Sequence, residues 1–247
     1  MAVLIKGLTA RGIQIKGREF LTPIQIPGCI VWHQWKTGIT TVSNLVSQWD
    51  DQSGNNLHLT QSNSARRPAY NATTGLITPS SDWLRCTYTG NVAFPELSFV
   101  IEVPVTPSLP IFSKRQNATI DADLLWLGLT SSRYMQKAQA IAGGRDIVPS
   151  TPVPASVKCI VTFGTYFYLN GVRYTSYSTR STSSWVGTSP GYHYIFANIA
   201  QASGGVEVTP GQFGNVPIYE WCWHSAPLSD FNRSKLMAYF LTKHGIE

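Results

Sequence analysis

The sequence predicts a single all-β sandwich that ends in one helix. Its 247 residues are 43% hydrophobic and 12% aromatic but only 13% charged, which supplies ample material for one core. The 15 prolines and 20 glycines favour short strands joined by many turns. An all-β chain of this length commonly stays undivided, so we expect residues 28–247 to form one domain.

Residues 1–27 are expected to form a separate N-terminal arm. Short β-like pieces at residues 3–5, 13–15 and 24–26 are separated by glycines and by Pro23. Pieces this short bury little surface alone, so they would pair with a neighbour's sheet edge or lie along another chain. An ordinary edge extension of the same sandwich is the alternative.

The sandwich is expected to begin with a strand at residues 29–32 and a sharp corner. Residues 46–61 read as a strand, a turn and a returning strand. Asp51 and Ser53 can bond the backbone two residues on, while Gly54 and Asn55 tolerate positive φ. The segment therefore predicts a tight surface corner.

Further strands follow at short, even intervals. They are expected at residues 83–88, 97–103, 124–129, 157–163, 166–169, 172–177, 192–197 and 218–223. Asn170 and Gly171 lie between two of them and predict a type I′ hairpin turn, which needs positive φ at both central residues. Strict alternation in residues 218–223 would place Tyr219, Trp221 and Trp223 on one face of the last strand.

The chain is expected to end in a helix at about residues 229–244. Ser229 is a good N-cap, and Gly245 is a natural residue to follow the last turn. Leu236 and Phe240 begin an apolar stripe that should pack on the sandwich.

Three motifs, in this order, resemble the concanavalin A-like lectin/glucanase (LamG-like) jelly-roll family. They are the corner segment 46–61 followed by Arg67-Pro68, the hairpin 168–171, and the run 227–230 that opens the helix ending in Lys243-His244-Gly245. The matches span residues 30–247. The resemblance implies a jelly roll of two antiparallel sheets, with an extended N-terminal arm and one C-terminal helix.

The sequence gives no support for an enzyme. Hydrolases of this family use a Glu-x-Asp-x-x-Glu strand, which Glu96 and Glu102 do not supply. No nucleophile elbow, zinc-protease motif or phosphate-binding loop occurs in the sequence. We therefore predict no catalytic residue, no metal site and no cofactor. We expect Glu102 to face solvent or to accept a hydrogen bond.

Sugar binding is the activity that the residues favour, because sugars stack on aromatic rings and need short polar side chains for their hydroxyls. The Ser/Thr-rich segment 178–192 offers Trp185 as a platform, Arg180 for an anionic sugar, and Tyr192. Asp50 and Asp51 are further candidates, as cation ligands in a lectin-like loop. The competing interpretations are a Trp185 that caps the core and a structural corner at Asp50 and Asp51.

Charge and patterning exclude some partners. The net charge is +6, but its lysines and arginines are scattered, so no specific nucleic-acid site is predicted. The excess favours anionic neighbours such as an acidic protein surface or polysaccharide. No apolar run long enough for a membrane and no signal-peptide pattern is present, so neither membrane nor Sec export is predicted. The four cysteines are far apart in apolar contexts and predict buried thiols.

The usual setting of the resembling domains implies a function. We expect a non-enzymatic phage virion structural protein, of a fibre, tail-tip or capsid-decoration kind, that attaches to host surface glycans. The arm would bind other virion proteins or copies of itself, in a particle assembled in the host cytoplasm. The alternatives are a free carbohydrate-binding module or lectin and, second, an atypical glycoside hydrolase with a carboxylate pair in a cleft.

Overall fold

The computed structural model describes residues 8–9, 12–13, 20–80, 82–88, 92–93, 96–107, 111–115, 125–130, 132–133, 135–139, 145–147, 152–164, 166–174, 186–187, 191–195, 197–198 and 212–246. The described strands are β1 (Leu8–Thr9), β2 (Gly12–Ile13), β3 (Cys29–His33), β4 (Ile39–Val42), β5 (Leu45–Trp49), β6 (Leu59–Thr60), β7 (Ala69–Asn71), β8 (Leu76–Thr78), β9 (Leu84–Tyr88), β10 (Val92–Ala93), β11 (Glu96–Glu102), β12 (Phe112–Arg115), β13 (Leu125–Leu129), β14 (Met135–Gln139), β15 (Arg145–Ile147), β16 (Lys158–Phe163), β17 (Phe167–Leu169), β18 (Val172–Tyr174), β19 (Val186–Gly187), β20 (Gly191–Ile195), β21 (Ala197–Asn198), β22 (Gln212–Phe213) and β23 (Ile218–His224). The described helices are two short 3-10 turns, Pro23–Gln25 and Ser64–Arg66, and α1 (Asp230–His244).

Seventeen of these strands form a sandwich of two antiparallel sheets, and the other six pair separately as β1–β2, β10–β19 and β21–β22. The first sheet has the order β18-β17-β16-β11-β23-β3. The second sheet has the order β15-β14-β13-β12-β20-β9-β6-β5-β4. The hairpin β7–β8 joins the two sheets, because β7 pairs with β5 and β8 pairs with β23. The predicted jelly-roll sandwich with one C-terminal helix is confirmed.

Two apolar clusters hold the layers together. The larger lies between the sheets and includes the fully buried Trp49, Phe99 and Trp221. The smaller lies between the outer face of the first sheet and α1, where Trp32 and Phe240 are buried. The first sheet is therefore covered on both faces, and its central strands β11 and β23 are buried along almost their whole length.

A β-bulge changes the face assignment on β23. The ladder between β11 and β23 shifts so that Val100 is opposite Glu220 while Ile101 is opposite Ile218, and Tyr219 has no partner. Ile218 consequently faces the core between the sheets, and Tyr219 faces α1. The prediction that Tyr219 shares a face with Trp221 was wrong, because strict alternation does not account for an extra residue in the ladder.

Two buried carboxylates fix α1 to the first sheet. Glu96 forms a bidentate ion pair with Arg233, at 2.8 and 2.7 Å, and also accepts the backbone N–H of Leu228. Glu220 accepts hydrogen bonds from His244 (2.7 Å) and from other groups under the helix: Trp32 Nε1, Tyr239 Oη and Lys243 Nζ. Burial alone would raise the pKa of Glu220, but the hydrogen bond from His244 and the charge of Lys243 outweigh burial and hold it below its usual range.

The ends of α1 and the hairpin turn have the backbone geometry that their residues predict. The Ser229 hydroxyl accepts the backbone N–H of Asn232, and Gly245 adopts the left-handed conformation, as predicted. Asn170 and Gly171 have φ values of 48° and 85°, as the type I′ turn requires.

The described part of the N-terminal segment lies against the domain. β1 and β2 form a short hairpin, and β2 contacts α1. Further along the chain, Ile26 is only 1% exposed and belongs to the cluster under α1, against which Phe20 and Leu21 also pack. Residues 20–26 are thus integrated into the fold. Whether the arm docks to other chains stays a prediction.

All four cysteines are free thiols. Cys86, Cys159 and Cys222 are buried, and burial raises the pKa of Cys86 and Cys159 to about 12, so these thiols are unreactive at neutral pH. In the described part of the chain, no helix is both long and apolar enough to cross a bilayer.

Candidate functional site

A row of register partners crosses the outer face of the second sheet. Arg85 on β9 pairs with Tyr194 on β20 and with Thr60 on β6, and the ladders continue in both directions. The complete row is Arg145, Ala138, Trp126, Ser113, Tyr194, Arg85, Thr60, Gln48 and Thr40. Directly paired residues of an antiparallel sheet share one face, so these nine positions lie on one surface.

The core shows that this surface points outward. Leu84 and Cys86 flank Arg85 in β9 and are buried between the sheets. Phe112, next to Ser113 in β12, is buried there as well. Because side chains alternate along a strand, the row lies on the opposite, outer side.

A second row runs parallel to the first, two residues along each strand. Tyr192 pairs with Arg115 on one side and with Thr87 on the other. His58 precedes Thr60 by two residues and Asp50 follows Gln48 by two, which places both on the same face. We call the two rows together the second-sheet face.

At the β4–β6 end of the second-sheet face, polar side chains are already connected. Asp50 Oδ1 accepts a hydrogen bond from Gln48 Nε2 at 2.6 Å and lies 3.3 Å from His58 Nδ1. The backbone N–H of Asp51 donates to that same Nδ1 at 3.2 Å, so a neutral His58 carries its proton on Nε2. Gly38 fits against Asp50, because a Cβ there would lie 2.6 Å from the Asp50 Cβ.

Exposure varies along the face. Thr40 and Thr60 are exposed, whereas Asp50, His58 and Arg85 are partly buried. Asp50 and His58 keep 35% and 37% of their side-chain area exposed, so solvent and ligands reach both. Ser113 and Trp83 are buried, and the Arg85 guanidinium lies 5.7 Å from the centre of the Trp83 ring.

Asp51 is placed differently from Asp50. Its carboxylate accepts hydrogen bonds from the backbone of Trp32, Ser53 and Leu57, at 3.0, 2.9 and 3.1 Å, and from the Ser53 hydroxyl at 2.7 Å. Burial opposes ionisation, but these bonds outweigh it and hold the pKa of Asp51 below its usual range. Asp51 therefore builds the corner, which covers the edge of β3. In that corner Gly54 has positive φ, as expected, together with Asn56 rather than Asn55.

The five predicted ligand-binding residues consequently divide into three groups. Asp50 and Tyr192 share the second-sheet face, whereas Asp51 is occupied in the corner. Trp185 and Arg180 lie outside the described residues. Binding by any of the five stays a prediction.

Arg85, Gln48 and His58 were not singled out from the sequence. Alternation within residues 84–88 could have placed Arg85 on an outer face. The pairing of β9 with β6 and β20 could not have been found in that way, because these strands are far apart in the sequence.

The described acidic residues of the first sheet are already engaged. Glu96 and Glu220 are 1% and 0% exposed under α1. Glu102 accepts a 2.7 Å hydrogen bond from the Tyr219 hydroxyl, as expected for its position. Among the described residues, no three acidic, histidine or cysteine side chains cluster as metal ligands would.

No protein-family model matches this chain, and no curated protein sequence matches it. Solved structures do match. A sialidase from Trypanosoma rangeli in complex with sialic acid is 15% identical with a TM-score of 0.54, over 90% of this chain and 34% of the sialidase. The chain thus spans about a third of that protein's length.

The match spans a larger share of two other solved structures. The binding domain of Paraclostridial Mosquitocidal Protein 1 is 13% identical with a TM-score of 0.53, over 89% of this chain and 53% of that one. Domain 4 of AbnA, a GH43 extracellular arabinanase from Geobacillus stearothermophilus, was solved in complex with arabinotriose. It is 11% identical with a TM-score of 0.53, over 85% of this chain and 98% of that domain. At such identities the likeness shows the fold, a concanavalin-like β-sandwich.

Proposed function

We propose that this protein is a carbohydrate-binding domain and that the second-sheet face is its binding surface. The observation that carries the proposal is the pair of rows, in which tyrosine and tryptophan positions alternate with hydroxyl, amide and charged ones across neighbouring strands. The arabinotriose complex of a domain with the same fold supports it by analogy.

The chemistry of the face suits sugars. Tyr192 and Tyr194 occupy positions two residues apart on β20, and tyrosine is a residue type on whose ring the C–H face of a sugar can stack. His58 lies about two strand spacings from Tyr192, roughly 10 Å away, and Asp50 about three, roughly 14 Å away; they offer a donor and an acceptor for hydroxyls. Because Gln48 and the Asp51 backbone already orient these two groups, binding costs less conformational entropy.

We propose that the domain binds glycans without cleaving them. An atypical hydrolase would need two carboxyl groups about 5–9 Å apart across an open groove. Glu96 and Glu220 are sealed under α1, and Glu102 is hydrogen-bonded to Tyr219. The engagement of these three groups supports a binding role.

The virion setting is a further proposal, supported by the resemblance of the three sequence motifs. In that setting the N-terminal segment joins the domain to a particle, and the second-sheet face attaches to a host glycan. The test is light scattering of the intact chain and of a variant lacking residues 1–19, which retains the buried Ile26. Loss of a defined oligomer supports assembly through the arm. Two identical monomers that both bind sugar favour a free lectin.

A glycan array followed by calorimetric titration tests the binding proposal. We expect Tyr192→Ala and Asp50→Asn to weaken binding of the selected glycan. The matched controls are Tyr166→Ala beside the first sheet and Asp230→Asn on α1, which should bind like the wild type. Equal losses in the variants and their controls, or no glycan bound at all, would refute the proposal.

A further inference from the structure

The β4–β6 end of the second-sheet face is a contiguous polar patch. Gln48 on β5 is the register partner of Thr40 on β4 and of Thr60 on β6, and both threonines are exposed. Asp50 and His58 lie beside them on the same face, with Asp50 Oδ1 3.3 Å from His58 Nδ1. We call these five residues the β4–β6 patch. It spans three neighbouring strands, which is about 10 Å.

The three central side chains each keep an unused polar atom. Asp50 Oδ1 accepts from Gln48 Nε2, which leaves Asp50 Oδ2 and Gln48 Oε1 without a hydrogen bond to any described residue. His58 Nδ1 accepts the backbone N–H of Asp51, so the Nε2–H of a neutral imidazole has no acceptor in that part of the chain either. The patch therefore offers two acceptors and one donor, on side chains that already orient one another.

The charge of the patch is negative and is not neutralised by a base. Among the described residues, no lysine or arginine lies within ion-pair distance of Asp50, whose partner there is His58. The neighbouring carboxylate of Asp51 is bound by backbone N–H groups rather than by a cation. Two adjacent carboxylates repel an anion at contact distance, whereas the attraction from the net charge of +6 acts at long range and is screened by salt.

We propose that the β4–β6 patch selects a neutral sugar by two adjacent hydroxyl groups and rejects acidic sugars. This deepens the proposed function and rests on it. One hydroxyl donates its proton to Asp50 Oδ2, and the oxygen of the neighbouring hydroxyl accepts the Nε2–H of His58. The bond to Asp50 contributes most, because hydrogen bonds to a charged acceptor are the stronger ones. A sugar carboxylate in the same place has no proton to donate and is repelled.

The experiment compares polysaccharides that differ in charge or in hydroxyl pattern. Galactan and mannan, both 1,4-linked, are titrated into the intact protein at pH 8, where an ordinary histidine is neutral. Each is compared with a derivative whose primary hydroxyls are oxidised to carboxylates and with an O-methylated derivative. Laminarin, a 1,3-linked glucan, tests adjacency, because its internal units have no two free hydroxyls on neighbouring carbons.

At least one 1,4-linked neutral polymer should bind. Its oxidised form should bind at least about tenfold more weakly, because the carboxylates of ligand and patch repel each other. Methylation should abolish binding, since a methylated oxygen cannot donate to Asp50. Laminarin should bind at least about tenfold more weakly than the neutral 1,4-linked polymer, because a charged hydrogen bond is not formed.

Variants then assign the selection to Asp50. Asp50→Asn should weaken binding of the neutral polymer about tenfold and bring its oxidised form to within about threefold of it, because the amide is uncharged. His58→Phe removes the donor and should weaken the neutral polymer about fivefold. Asp230→Asn, which removes a 95% exposed carboxylate on α1, is the matched control and should change neither affinity nor selectivity.

The outcomes separate the two proposals. Equal or stronger binding of the oxidised forms, with loss in Tyr192→Ala, would overturn selection by the patch but keep the binding face. Weaker binding in Asp50→Asn without a change in charge selectivity would overturn it as well. Equal binding of laminarin and the 1,4-linked polymers would contradict recognition of adjacent hydroxyls. Binding of no polymer, in this panel or on the glycan array, would overturn both proposals.

Discussion

The outer faces of the two sheets use similar residues in opposite ways. On the first sheet, Glu96 and Glu220 lie under α1 and are 1% and 0% exposed. On the second sheet, Asp50 is held by Gln48 but keeps 35% of its side chain exposed. A carboxylate that is covered and paired serves stability, whereas one that is oriented but uncovered remains available to a ligand. Burial under α1, rather than residue type, distinguishes Glu96 and Glu220 from Asp50.

Lowering the pH should destabilise the protein through its buried histidines. Burial lowers the pKa of His224 to about 4 and of His33 to about 3, and it also lowers the pKa of His244. A histidine with a depressed folded-state pKa contributes stability that is fully present above its unfolded value, near 6.5, and is lost as the pH falls below that value. By pH 4 each of the first two should cost on the order of 2–3 kcal/mol in the free energy of unfolding.

Urea titrations between pH 7 and pH 4 measure this effect. His224→Gln should flatten the pH dependence, because it removes a buried imidazole whose pKa is lowered in the folded protein. An unchanged slope in the His224→Gln variant would contradict a role for this buried histidine in the acid sensitivity of the fold.

Breaking the ion pair under α1 should cost slightly less than protonation of the two histidines together. Arg233→Met leaves Glu96 buried without its partner, which should lower the free energy of unfolding by about 3–5 kcal/mol. Arg173→Met, exposed on β18, should cost less than about 1 kcal/mol. Chemical denaturation gives both values. If the folded Arg233→Met protein also lost glycan binding, α1 and the second-sheet face would not be independent.

Two glycines give a matched test of the surroundings of Asp50. Gly38 and Gly54 both have positive φ, so alanine at either should cost about 1–2 kcal/mol in backbone strain. At Gly38 the new Cβ would also meet Asp50 at 2.6 Å, whereas nothing lies within 4 Å at Gly54. Gly38→Ala should therefore weaken glycan binding as well as stability. Gly54→Ala should affect stability alone, and calorimetric titration of both variants checks this.

The smallest effect is expected from a single hydroxyl contact. Thr60→Val, at an exposed position of the row, should lower glycan affinity about two- to fivefold, because one hydrogen bond is worth roughly 0.5–1.5 kcal/mol. Thr78→Val, exposed on β8 away from the two rows, is the control. Equal titration curves for the wild type and both variants would place Thr60 outside the binding surface.

Local features of the fold were predictable from the sequence. The turn at Asn170 and Gly171, the Ser229 cap and the Gly245 end follow from residues within a few positions of one another. The bulge at Tyr219 was not predictable, because it arises only when β23 pairs with β11, more than a hundred residues earlier.

The candidate site was harder to predict from the sequence, for the same reason. Asp50 and Tyr192 were proposed separately, without any indication that they share a face. Their relation depends on the ladder from β5 through β6 and β9 to β20, which joins distant parts of the chain. The burial of Glu220 likewise depends on where α1 packs.

Carboxyl footprinting with a carbodiimide, read by mass spectrometry, tests the difference between the two faces most directly. Without ligand, Asp50 and the 95% exposed Asp230 should be labelled, whereas Glu96 and Glu220 should not. At saturating concentrations of the glycan chosen from the array, labelling of Asp50 should fall while labelling of Asp230 stays constant. Unchanged labelling of Asp50 under saturation, or protection of Asp230 instead, would contradict binding at the second-sheet face.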